Sequence, residues 1–133
     1  MISDRLRGGR EHLRDLSARL VTLHATLLAC ERQAYEETHG PTTAAELLRL
    51  VIQDEQFAWL RSLSAMIAQI DEAFDADDST AGVDSESFFQ ETHRLLRAGA
   101  GGVFESKYHD ALQRSPEVVM AHAAVMKVLP ARI

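Results

Sequence analysis

Hydrophobic positions in this chain recur at helical spacing almost from the first residue. Leu13, Leu16, Leu20, Leu23, Leu27, Cys30 and Ala34 alternate by three and four, which predicts a long first helix with a coiled-coil-like seam. That helix is expected to begin near Asp4 or shortly after Gly8-Gly9. It should stop at His39-Gly40-Pro41, where glycine suits the left-handed position past a helix end. A capping box follows at once, Thr43 with Glu46 three residues on. The second helix is expected to run from there to about Phe74. Its lower half has one apolar stripe, Leu60, Leu63, Ile67, Ile70 and Phe74. Its upper half, Leu47 to Leu60, is apolar over most of the circumference, which predicts cover from several sides.

Only about three residues separate these helices, so they are expected to pair as an antiparallel hairpin. Asp75 to Val83 reads as a polar loop. Asp84 then caps a third helix carrying Phe88, Phe89, Thr92, Leu95 and Leu96. After Gly99 and Gly101-Gly102 comes a fourth, with Val103, Phe104, Tyr108, Ala111 and Leu112. Ser115 and Pro116 open a fifth that ends before Pro130. Valine and isoleucine never alternate with polar residues over a strand's length. The expected fold is all-α: one helical-bundle domain over residues 1–133, built on the long hairpin with three shorter helices along it.

Composition narrows the partners. A net charge of −6 argues against nucleic acid, which requires a basic face. The charge is uneven, with Arg5, Arg7, Arg10, Arg14 and Arg19 near the start and no Lys or Arg in residues 71–91. One cysteine, Cys30, permits no internal disulfide and fits a reducing compartment. No apolar run reaches the length of a membrane span and the arginine-rich start lacks a signal peptide's apolar core, so no membrane partner and a cytoplasmic location are expected.

Candidate chemistry gathers where acids interrupt apolar helix. Asp54 and Glu55 sit in the most apolar stretch of the second helix, and an unpaired buried acid is costly. On the first helix His24, Leu28, Glu31 and Tyr35 form a second stripe. In a straight hairpin, residue i lies level with about residue 82 minus i, so Glu31 is expected near Val51 and Asp54 near Leu28, within roughly 10 Å of His24. His24, Glu31, Asp54, Glu55 and, on the fifth helix, His122 are therefore the candidate ligand-binding residues.

A di-iron bundle would need Glu-x-x-His twice; the chain has it once, at Glu36 and His39, so no metal and no cofactor is implied. Asp75, Asp77, Ser79 and Glu86 overlap the spacing of a calcium loop, but Thr80 stands where that loop turns on glycine. No catalytic constellation, phosphate loop or nucleophile elbow is present, which leaves any enzymatic role open.

The stretch Phe57-Ala58-Trp59-Leu60-Arg61-x-Leu63-Ser64, continuing to Ile70-Asp71-Glu72, resembles a family of uncharacterised small bacterial helical proteins. That resemblance implies no activity. The expected function is protein–protein interaction or regulation, as a homodimer through Leu47 to Trp59. The alternative is a metal- or small-ligand-binding bundle with its site between the first two helices.

Overall fold

The computed structural model describes the backbone of residues 2–76, 85–97 and 102–129, and the side chains of 10–75, 85–96 and 102–129. Among these residues there are six α-helices and no strand: α1 (Ile2–His39), α2 (Ala44–Gln53), α3 (Arg61–Ala76), α4 (Ser85–Arg97), α5 (Gly102–Arg114) and α6 (Pro116–Val128). A 3-10 segment, Glu55–Leu60, joins α2 to α3. The all-α architecture expected from the periodicity is present. The calcium-like spacing and the predicted cap at Asp84 fall largely on 77–84, outside the described residues.

α1 runs 38 residues, about 57 Å, without a break at Gly8-Gly9. Its leucine seam is fully buried from Leu13 to Leu27. The helix ends as its sequence predicts. Gly40 takes a φ of 84° and its N–H donates to the Glu36 carbonyl at 2.9 Å. The next helix opens on the expected capping box, with Glu46 N–H donating to Thr43 Oγ1 at 3.1 Å and Thr43 N–H to Glu46 Oε1 at 3.3 Å. Ser115 caps α6, accepting from the Val118 N–H, with Pro116 at the first helical position.

The second arm of the expected hairpin is not one helix. Asp54 has an extended backbone (φ −87°, ψ 138°) that ends α2 and starts the 3-10 segment. An aspartate favours this, because its short side chain bonds nearby backbone N–H groups in non-helical geometry. α2 has little contact with α1; the 3-10 segment and α3 make the pairing instead. The break also accounts for the apolar circumference of Leu47 to Leu60. Leu50 on α2 and Phe57, Trp59 and Leu60 on the 3-10 segment are all buried, on two axes rather than one. The partner with which α1 packs most extensively is α6, a pairing that periodicity alone did not reveal.

Candidate functional site

Glu31 is the one acidic side chain buried among the described residues, only 8% exposed on α1. The chain break at Asp54 brings the 3-10 segment over it. Trp59 donates its indole N–H to Glu31 Oε1 at 2.7 Å, and the Gln56 side-chain amide donates to Oε2 at 2.9 Å. Lys107 of α5 reaches Oε1 at 3.5 Å from the solvent side. Both carboxylate oxygens thus have donors, as a buried carboxylate requires. The register differs from the straight-hairpin expectation: Glu31 faces Gln56 and Trp59, not Val51.

Asp54 does not join this cluster. Its Oδ1 accepts the Gln56 backbone N–H at 2.8 Å, so it is the N-cap of the 3-10 segment. Gln56 links the two acids, through its backbone to Asp54 and its side chain to Glu31. Glu55 is exposed. His24 lies half-buried, two turns of α1 from Glu31, and burial pulls its pKa below the usual histidine value. The four residues expected to converge are therefore divided among a buried node, a cap, a surface position and a separate point on α1. Among the described residues, no three His, Cys, Asp or Glu side chains are grouped as a metal site requires.

His122 belongs to a different contact. Its Nδ1 lies 2.6 Å from the Tyr108 hydroxyl, tying α6 to α5. Burial pushes the Tyr108 phenol well above the ordinary tyrosine range, so it stays protonated, and the imidazole tautomer sets which of the two donates. The pair borders a groove of ≈ 330 Å³ with Leu95, Leu96, Glu105, His109 and Leu112. An aromatic run connects it to the buried acid: Trp59 meets Phe104 edge-on at 5.4 Å, and Phe104 stacks on Tyr108 at 5.5 Å. Glu31, Trp59, Phe104, Tyr108 and His122 thus form one continuous set of contacts across α1, the 3-10 segment, α5 and α6.

Sequence reasoning found Glu31 but missed Gln56, Trp59 and Lys107. A signal for Trp59 was available, since a buried indole N–H needs an acceptor. For Lys107 there was none, because nothing local sets how α5 lies against α1. His39, in the last turn of α1, stacks on Tyr35 at 4.0 Å, with Nδ1 within 2.8 Å of Thr38 Oγ1 and 3.1 Å of the Tyr35 carbonyl.

At the C-terminal end of α1, Arg32 and Glu36 clasp Thr42. The Thr42 backbone N–H and hydroxyl both donate to Glu36 Oε2, at 2.8 and 2.6 Å, and the Arg32 guanidinium donates to the Thr42 carbonyl at 2.7 Å. The Thr42 hydroxyl above all, then its backbone N–H, holds the Glu36 carboxyl below its ordinary pKa. This clasp fixes the α1–α2 turn. No buried side-chain nitrogen or oxygen among the described residues lacks a hydrogen-bond partner.

Comparison with known proteins returns no matching family model, no matching curated protein and no matching solved structure.

Proposed function

We propose that this chain acts by protein–protein association, with self-association into a homodimer as its basic form. The observation that carries this reading is the closed state of the buried acid. Glu31 accepts from Trp59 and Gln56 and faces Lys107, so it is a structural tie between α1, the 3-10 segment and α5. The competing reading, a metal or small ligand held by Glu31, Asp54, Glu55 and His24, loses its support because those groups do not converge.

Large apolar side chains do face solvent: Val21, Leu48, Ile52, Val103, Val119 and Met120. Of the segment Leu47 to Trp59, Leu50, Phe57 and Trp59 are committed to the core. Leu48 (62% exposed) and Ile52 (60% exposed), one turn apart on α2, remain open to a partner. Sedimentation velocity over a micromolar concentration series tests the proposal. A dimer is expected; a monomer throughout the range overturns it.

A further inference from the structure

α5 lies against α1 through charge rather than apolar packing. Its buried side chains, Phe104, Tyr108 and Ala111, form one stripe, and the two aromatics are committed to Trp59 on one side and His122 on the other. Toward α1 the helix presents Lys107, Asp110, Ala111 and Arg114, across a cleft of ≈ 60 Å³ from Cys30 and Glu31. Two ion pairs span that cleft, Lys107 Nζ to Glu31 Oε1 at 3.5 Å and Arg114 to Glu37 Oε1 at 3.6 Å. Both are longer than the about 2.7–3.2 Å of an N–H···O hydrogen bond, so they attract without fixing a geometry.

On its opposite side α5 borders the ≈ 330 Å³ groove with Leu95 and Leu96. Unfilled space therefore flanks this helix on both sides. Each of its ends also carries a residue outside helical backbone geometry. Gly102 has a φ of 68°, a left-handed value that glycine takes at little cost, and Ser115 is extended at φ −129° and ψ 115°. α6 differs on both counts. It buries Val118, Ala121, Val125 and Val128, and Arg19 of α1 donates to its Ala124 carbonyl at 2.8 Å.

We propose that α5 is a strap latched to α1 by charge: turning on Gly102 and Ser115, it rolls toward the groove when Lys107–Glu31 and Arg114–Glu37 part, and so uncovers Cys30 and Trp59 while α1 and α6 stay paired. An element with few buried apolar side chains moves at lower free energy than the core, and residues at element ends absorb such motion. Lys107, Arg114 and Glu37 all retain solvent contact, so salt screens the latch and ionic strength sets its position. The device goes beyond the associative reading above and does not depend on it.

The chain carries its own probes, because its one cysteine and its one tryptophan both line the cleft. Alkylation of Cys30 by iodoacetamide, an uncharged reagent, reads the opening. Burial raises the Cys30 thiol pKa and the Arg114 charge opposes that rise. Loss of the charge by itself must therefore slow alkylation, whereas opening speeds it. Lys107→Gln with Arg114→Gln should alkylate about fivefold faster than the wild type, the scale of two such pairs. Arg114→Gln alone leaves every partner of Glu31 in place and should show a smaller acceleration. In wild type the urea dependence of alkylation should be well below the slope of global unfolding. Quenching of Trp59 by acrylamide should rise between about 0.05 and 0.5 M NaCl in wild type and stay constant in the double variant. Alkylation unchanged or slowed in the variants overturns the proposal, as does a urea slope equal to that of global unfolding or a salt response that survives in the double variant.

Discussion

Replacing Glu31 by glutamine asks what the buried node contributes. The side chain keeps its shape and loses its charge, but the amide cannot accept at both ends. With its oxygen toward Trp59, its NH2 faces the NH2 of Gln56; flipped, it faces the indole N–H. Either orientation opposes one buried donor with another unless Gln56 turns its own amide over, and even then two charge-assisted bonds, of 2.7 and 2.9 Å in the native protein, become neutral ones. An unsatisfied buried donor costs about 1–3 kcal/mol. Lys107, 35% exposed, also loses its counter-ion, but at that exposure solvent screening makes the loss minor. Glu31→Gln should therefore be destabilised by about 1–3 kcal/mol, with the denaturant slope unchanged. For a chain of this size that is a fall in melting temperature of roughly 4–12 °C. Replacing the whole node, as Glu31→Leu, Gln56→Leu and Trp59→Phe together, should recover part of the loss, because no donor is then stranded. Urea titrations of the three proteins give the comparison. A Glu31→Gln protein as stable as the wild type, or more so, would refute the structural assignment and mark Glu31 as a strained functional group.

Two further outcomes follow from the same geometry. Asp54 caps the 3-10 segment, so Asp54→Ala should cost about 0.5–2 kcal/mol, whereas Asp54→Asn, which caps comparably, should be nearly neutral by thermal melt; equal losses would contradict the capping role. His24, whose folded pKa burial holds below the unfolded value of 6.5, binds its proton more readily in the unfolded chain. Its contribution is therefore full above about pH 6.5 and is lost as pH falls through the folded pKa. His24→Leu should flatten the stability profile in that acid window, and an unchanged slope would show that other groups carry it.

What the linear sequence determined is local. The period of Leu13 to Leu27, the Gly40 stop, the Thr43–Glu46 box and the Ser115–Pro116 start each depend on side chains within a few residues, and each is present as read. The helical stripe of His24, Leu28, Glu31 and Tyr35 singled out Glu31, whereas the burial cost of an acid pointed to Asp54 and Glu55, which turn out to be a cap and an exposed residue. What only the tertiary structure decided depends on competition between distant groups. Helical periodicity carries through Asp54, yet the helix breaks there, because the aspartate can cap a new segment and Phe57, Trp59 and Leu60 reach the core only from a second axis. That redirection moved Glu31 from Val51 to Trp59 and returned much of the Leu47–Trp59 surface to the interior. Likewise the preference of α1 for α6 is set by which apolar faces fit once all six helices are placed. No spacing within either helix encodes that fit, and none encodes how α5 comes to lie across Glu31 and Glu37.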